Sequence, residues 1–338
     1  MSFDKKYSSV GWGITDRCNL SCPHCYSSAV KVSDGELNTD ECRRLIDYLG
    51  QVGVGSIGWT GGEPLLRKDL EDLIAHAHNY GIKSGITTNG VPLTAKRIQS
   101  LKKAQLSSLQ ISLDGSTADR NYDIRRASAK EFQLVIDGIK MSLDAGLPVY
   151  LAMIICRATL DDVLDYVEMA KELGVKKIRY CGFVPHGGGK DDEINRKMGF
   201  GDRLGDLADL MEKLVVMDSP SALPDVAFGP PPPAYDFHQC KAGVDAFYIA
   251  SNGDVYPCTS LIFDRFKVGN VREQSLDDIL SSPKMTEIAS YPRENIEGHC
   301  RECPYFRVCR GACRGAVYAH TGNLNASFPT CLYRASRQ

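Results

Sequence analysis

The sequence predicts an α/β protein: a partial (β/α)6 barrel, TIM-like in its closure, followed by a small cysteine-rich domain. Three observations carry this expectation. Short β-branched or apolar runs recur between helical patterns over residues 9–218. A proline-rich stretch, 219–239, interrupts the alternation. From residue 240 to 338 the chain has few periodic segments and many cysteines. Strands alternating with helices give a parallel sheet with right-handed crossovers, and function then gathers at the C-terminal ends of the strands.

Residues 1–8 form a short polar tail without the apolar core of a signal peptide. Strands are expected at Val10–Thr15, Ser56–Thr60, Lys83–Thr88, Ser108–Leu113, Val149–Cys156 and Lys177–Phe183. A helix opens at Thr39, with Asp40 and Glu41 in its first turn and Leu45, Ile46 and Leu49 inside. Another shows one apolar face through Leu160, Val163, Leu164, Val167, Ala170 and Leu173. Thr159 reads as its N-cap, Asp162 as the capping partner and Gly174 as its stop. "SPSALPDVAFGPPPPAYDF", 219–237, reads as a linker. "VDAFYIASNGDVYPC" reads as a hairpin turning at Asn252–Gly253. The remainder buries little apolar surface by itself, and such a segment usually needs a metal to fold.

Composition narrows the function. With 43% hydrophobic and 24% charged residues, the chain has the makings of an ordinary globular core. A formal net charge of −2 offers no electrostatic basis for a nucleic-acid or membrane partner. No run of about 18 apolar residues suggests a spanning helix, so a cytoplasmic protein is expected. Thirteen cysteines are many for that compartment. Disulfides are rare there, and clustered cysteines more often bind metal or do redox chemistry.

Cys18, Cys22 and Cys25 follow the first strand with C-x3-C-x2-C spacing. Zinc would need a fourth ligand, and His24 is the only local residue of the right type. Three thiolates on a four-iron cluster instead leave one iron open. The loop alone leaves both readings standing. "WTGGEP" (59–64), "TTNG" (87–90) and "QISLDG" (110–115) then end the second, third and fourth strands at the same rim. With these segments in this order and spacing, the chain resembles the radical S-adenosylmethionine superfamily over essentially its whole length.

The resemblance implies a [4Fe-4S] cluster on Cys18, Cys22 and Cys25 whose open iron is chelated by S-adenosyl-L-methionine. Reductive cleavage would yield a 5′-deoxyadenosyl radical that abstracts hydrogen from substrate carbon. By the same resemblance Gly61, Gly62 and Glu63 contact the methionine amino group, and Asn89 belongs to the same binding set. Ser112 and Asp114 would lie near the ribose or carboxylate, and Arg126 in "YDIRRAS" would pair with the carboxylate. Arg125 is adjacent, so the register between the two arginines is open.

The second zone reads C-x12-G-x4-C, then C-x2-C-x5-C-x3-C, then a final cysteine. This spacing resembles the SPASM domain, which in relatives carries two auxiliary [4Fe-4S] clusters, making three in all. The resemblance assigns Cys300, Cys303, Cys309 and Cys331 to one cluster and Cys240, Cys258 and Cys313 to the other. The latter is one ligand short, leaving a site that is open or filled by a neighbour such as Asp236 or His238.

Cys42, Cys156 and Cys181 belong to neither pattern. Cys42 reads as a buried side chain. Cys156 and Cys181 end strands and either pack in the core or face the barrel interior. Cys181, in "RYCGFVPHGGG", is the preferred hydrogen-atom donor because its strand opens into a glycine-rich rim loop. His186 and the glycines after it either line a cleft or form a turn. Sulfatase-maturing relatives carry a carboxylate where this chain has Thr259, which argues against that activity.

Two substrate classes compete. One is a ribosomally made peptide or protein, modified by crosslinking, oxidation or epimerisation. The other is a small molecule, an aminoglycoside or nucleoside sugar or a tetrapyrrole, modified by epimerisation, dehydrogenation or decarboxylation. The resemblance further implies a flavodoxin- or ferredoxin-type electron donor. Only a short tail precedes the first strand, where many peptide maturases carry a fused leader-binding module and others use a separate leader-peptide-binding protein, and this weighs toward the small molecule without settling the choice. A purely electron-carrying protein would have no use for the GGEP and SLDG segments.

Overall fold

The computed structural model describes residues 7–27, 35–217, 225–228 and 240–335. Six strands fall within one residue of their expected ends: β1 (Ser9–Thr15), β2 (Ser56–Gly61), β3 (Lys83–Thr88), β4 (Ser108–Ser112), β5 (Val149–Ile155) and β6 (Lys177–Gly182). Each pairs in parallel with its successor. The helices between them are α1 (Thr39–Gln51), α2 (Leu70–Asn79), α3 (Ala95–Lys103), α4 (Ala118–Arg125), α5 (Ala129–Asp144) and α6 (Val163–Glu172), with α7 (Asp192–Met198) and α8 (Leu204–Met217) after β6.

The stretch read as a linker contains a strand. β7 (Asp225–Phe228) pairs in parallel with β6, Lys177 opposite Asp225. Its four residues are flanked by proline-rich sequence, which hides a strand that short from a pattern search. The hairpin forms as expected: β8 (Ala246–Ile249) and β9 (Asp254–Tyr256) are antiparallel, and Gly253 turns the corner at φ +88°. β8 also lies parallel to β1, with Ser9 opposite Ala246. With β10 (Gly269–Asn270) the sheet therefore runs β10-β9-β8-β1-β2-β3-β4-β5-β6-β7 without a break.

Alternation along each strand creates two different faces. Val10, Trp12, Ile14, Ile57, Trp59, Ile86, Leu109, Ile111, Leu151 and Ile178 pack into one core with Ile46 and Leu49 of α1 and Leu73 of α2. Trp12 and Trp59 stack there with ring centroids 5.4 Å apart. The opposite, concave face has small or polar residues. Gly58, Gly85 and Ser108 lie side by side across β2, β3 and β4, and Thr87, Gln110, Tyr150 and Lys177 form the next row.

Helix starts follow the caps. Asn38 and Glu41 form a reciprocal capping box on α1, and Ser128 and Glu131 do the same on α5. The cap expected at Thr159 does not form. Its hydroxyl instead donates to Ile154 O at 2.8 Å and accepts from Cys156 N at 3.0 Å, closing the turn after β5. Asp162 accepts from Ser116 N at 2.7 Å and Ser116 Oγ at 2.5 Å, so it secures the loop after β4. A 3-10 turn, Leu160–Asp162, leads into α6 without a side-chain cap.

Candidate functional site

The loop carrying Cys18, Cys22 and Cys25 leaves the C-terminal end of β1 and is fastened by its neighbours' rims. Gly62 N donates to Thr15 O and Glu63 N to Arg17 O, both at 2.7 Å. These bonds bring backbone against backbone, which is why the two positions before Glu63 are glycine. A Cβ on Gly61 would lie 2.3 Å from Thr15 O, and Gly61 holds φ at +123°. A Cβ on Gly62 would lie 2.3 Å from Arg17 O.

Glu63 is fully buried and divides its carboxylate among the rims. Oε1 accepts from Leu65 N at 3.0 Å and Thr88 Oγ1 at 2.7 Å, and Oε2 accepts from Asn89 N at 2.7 Å. Burial pushes its carboxyl up against these bonds. Asn89 continues the chain of contacts, its Nδ2 donating to Asn19 Oδ1 at 2.9 Å and to Cys18 Sγ at 3.8 Å. The three rims thus form one network around the first cysteine.

Asp114 lies inside the rim, held between two neighbouring elements. Its side chain is fully buried, with Oδ1 accepting from Ile154 N at 2.6 Å and Oδ2 2.7 Å from Arg125 Nε. Asp114 thus ties the loop after β4 to β5 and to Arg125. The two adjacent arginines take different positions. Arg125 ends α4 with its side chain inside the rim, where its charge opposes the upward shift of the Cys22 thiol. Arg126 takes the left-handed C-cap position at φ +58°, is exposed, and lies over the Tyr122 ring at 5.2 Å. The helix end turns the second arginine outward. Ser112 closes β4 on the concave face, half-buried.

His24 points away from its neighbours' thiols. Its Nδ1 lies 3.0 Å from Ile124 O and its Nε2 3.9 Å from Asp114 Oδ2. Burial lowers its basicity despite the nearby carboxylate. A fourth zinc ligand is therefore not available from this histidine. Among the described residues no three His, Cys, Asp or Glu side chains converge tightly enough for a single ion. Burial pushes the Cys22 thiol up to about 11, so a thiolate there needs added positive charge of the kind an iron–sulfur cluster supplies. Three thiols without a protein fourth suit a cluster that keeps one iron for an exogenous ligand.

Tyr26, which the sequence reading passed over, follows the third cysteine directly. Its hydroxyl donates to Thr259 O at 2.8 Å, joining the first cysteine loop to the residue after Cys258. His186 Nδ1 approaches Tyr26 O at 2.8 Å, and its ring meets Phe263 edge-on at 4.1 Å. Gly188 N donates to Cys25 O at 2.9 Å. The glycine-rich loop after β6 is thus a brace on the cysteine loop. Adjacency to Cys25 was the signal that could have singled out Tyr26.

The later cysteines fall into two groups. Burial, with Cys313 nearby, pushes up the thiol of Cys240; burial, with Cys313 and Cys240, pushes up that of Cys258; and burial, with Cys300 and Cys331, pushes up that of Cys309. Phe328 N donates to Cys300 Sγ at 3.3 Å. Arg293 is electrostatically coupled to Cys240 and Cys313, and its buried Nε and Nη1 have no hydrogen-bond partner among the described residues. Buried guanidinium donors facing thiols fit an anionic sulfur-rich group between them. Asp236 and His238 lie outside the described residues.

Cys42 is buried, with Arg67 Nη2 3.5 Å from its sulfur. Cys156 packs with Ile124, Phe183 and Met198, which makes it a core residue. Cys181 is on the concave face, two positions after Arg179 and opposite Ile154, and burial pushes its thiol up. Arg179 Nη1 donates to Gln110 Oε1 at 2.9 Å on the same wall.

Comparison with known proteins agrees with this geometry. Residues 12–170 match the Radical SAM superfamily, and residues 240–304 match SPASM, an iron-sulfur cluster-binding domain. The AdoMet-dependent heme synthase of Methanosarcina barkeri is 28% identical over 97% of each chain. Mycofactocin maturase MftC of Mycobacterium ulcerans is 30% identical over 95% of this chain and 86% of its own. Streptococcus suis SuiB, solved with S-adenosylmethionine, has the same fold, with a TM-score of 0.76 at 18% identity over 97% of this chain and 77% of its own. No helix among the described residues is long and apolar enough to cross a membrane. The chain belongs to the radical SAM superfamily and is a radical SAM enzyme with an iron–sulfur cluster-binding SPASM domain.

Proposed function

We propose that the chain abstracts a hydrogen atom from a carbon of a ribosomally made peptide or protein, in a crosslinking, oxidation or epimerisation. The concave wall carries this reading: Gly58, Gly85 and Ser108 lie abreast on three strands as a row of small residues. An extended backbone fits such a surface better than a bulky ring does. Kinship with a mycofactocin maturase, and a fold like that of SuiB with its precursor peptide SuiA, point the same way.

Cys18, Cys22 and Cys25 would hold the first [4Fe-4S] cluster; Cys240, Cys258 and Cys313 would hold a second; Cys300, Cys303, Cys309 and Cys331 would hold a third, all thirteen cysteines being unpaired thiols. When bound, the first cluster supplies the electron that cleaves S-adenosylmethionine to the 5′-deoxyadenosyl radical. The backbone of Gly61 and Gly62, held against the cysteine loop, provides the rim for the methionine moiety. Asn89 and Glu63 fix that rim, and Arg125, anchored by Asp114, supplies the positive charge assigned to Arg126 from sequence. Cys181, on the same face of the sheet, would return a hydrogen atom if the reaction is an epimerisation.

A second reading follows from a different observation. Lys177 and Arg179 put two cations on the concave face of β6, as a polyanionic small molecule such as a tetrapyrrole would use. Kinship with a heme synthase over 97% of each chain supports it.

The test is anaerobic. Reconstituted protein with dithionite and S-adenosylmethionine is expected to form 5′-deoxyadenosine, and Cys22→Ala is expected to reduce this to background. A wild-type protein that forms none contradicts both readings. Addition of a precursor peptide encoded beside the gene should raise the rate; a rise with an iron porphyrin bearing propionates instead selects the second reading. In Cys181→Ala, 5′-deoxyadenosine formation should continue while solvent-deuterium incorporation into product is lost. Undiminished incorporation removes Cys181 from the reaction.

A further inference from the structure

Arg293 opens the short turn Arg293–Asn295, ahead of the C-x2-C pair. Its Nε and Nη1 are buried and have no hydrogen-bond partner among the described residues. A guanidinium has five N–H donors and no acceptor, and it stays charged in proteins. Leaving such donors buried and unpaired is among the more costly arrangements a fold can adopt.

Its surroundings sharpen the point. Burial works against the Arg293 charge, and so does Arg310; the groups that favour it are the thiols of Cys240 and Cys313, with Tyr291 a smaller contributor. Arg314, also fully buried, couples to Cys313 of this group and to Cys300 of the other. Arg314 is differently employed, however. Its Nη1 donates to Leu324 O at 3.0 Å and Ala326 O at 2.8 Å, and its Nη2 to Gly311 O. Those bonds staple the loop around the cysteines, so Arg314 is structural. Arg293 has no such occupation. Neutral thiols are weak acceptors, and among the described residues no carboxylate forms an ion pair with Arg293.

We propose that Arg293 donates from Nε and Nη1 to sulfur of an iron–sulfur cluster held by Cys240, Cys258 and Cys313, and thereby raises the reduction potential of that cluster. This rests on the reading above that these three thiols hold a cluster. Reduction adds one negative charge, so an adjacent cation and N–H···S bonds stabilise the reduced form more than the oxidised one. The consequence for the reaction is directional. When a substrate radical goes on to a double bond, it releases one electron and one proton. The electron reduces the oxidised cluster by one, and water takes the proton. A higher potential at this cluster makes it the preferred acceptor.

The experiment is a potentiometric titration followed by electron paramagnetic resonance, on reconstituted full-length protein without substrate or S-adenosylmethionine. The relevant signal is the one missing from Cys240→Ala. In Arg293→Gln this signal should fall in potential enough to shift its reduction equilibrium about tenfold, about 59 mV for one electron. The other signals should stay in place. Arg293→Lys, which keeps charge but offers no planar fork, should fall by less. Arg301→Gln, an exposed charge removed beside the other cysteines, should leave the signal where it is.

An unmoved signal in Arg293→Gln, or an equal shift in Arg301→Gln, overturns the proposal. If Arg293→Gln takes up no iron, Arg293→Lys decides: a lowered potential supports the role and a wild-type potential refutes it. A wild-type protein that assembles iron only at Cys18, Cys22 and Cys25 refutes the underlying reading as well. The iron count distinguishes that failure from failure of Arg293 alone.

Discussion

Gly62→Ala is expected to abolish S-adenosylmethionine cleavage while leaving every cysteine in place. The added methyl would lie 2.3 Å from Arg17 O and 2.7 Å from Asp16 O, both backbone atoms with no side-chain freedom to yield. The rim or the cysteine loop must move, breaking the bonds from Gly62 N to Thr15 O and from Glu63 N to Arg17 O. Overpacking of this kind costs about 1–3 kcal/mol, which a core this extensive tolerates. The thermal midpoint should therefore drop by a few degrees while 5′-deoxyadenosine formation and first-cluster iron fall far more. A variant with wild-type iron and wild-type cleavage contradicts the assignment of this rim.

Asp114→Ala is expected to be the most destabilising single change around the site. It strands the Arg125 guanidinium, whose side chain is 12% exposed, and removes the acceptor of Ile154 N. Breaking one half of a buried ion pair costs about 3–5 kcal/mol. Asp114→Asn keeps the shape and an acceptor for Ile154 N, and should recover part of the loss. Denaturant unfolding of the two variants measures the difference directly. If Asp114→Ala unfolds at the wild-type midpoint, the carboxylate is not the keystone between β4, β5 and α4.

The barrel strands were legible because each is a run of β-branched or apolar residues bounded by turn residues, and the pattern repeats. β7 was not, since four residues between prolines carry no periodicity. The hairpin announced itself through Asn252–Gly253, but nothing local says that β8 lies along β1; that pairing is a property of the whole chain. The site shows the same division. Cysteine spacing and the GGEP segment are local signals and stand out. Which of two consecutive arginines faces inward depends on where α4 ends, and the left-handed turn at Arg126 is set by packing rather than by residue type. Asp114 matched a motif, but the motif does not mark its neighbours in space, Ile154 and Arg125. Arg293 matched no motif at all; its interest lies in what it fails to bond.

The parallel pairing of β8 with β1 has a consequence for how the protein is made. β1 begins at residue 9, but the strand that covers its free edge begins at residue 246. While the chain leaves the ribosome, β1 therefore waits until β8 emerges with one row of backbone N–H and C=O groups uncovered. Uncovered edges recruit foreign strands. The cysteine loop, whose Tyr26 is also tied to Thr259, stays unbraced for the same interval. Edge protection of β1 is thus deferred until β8 has been made, and a chain stopped at the proline-rich stretch lacks that neighbour for β1.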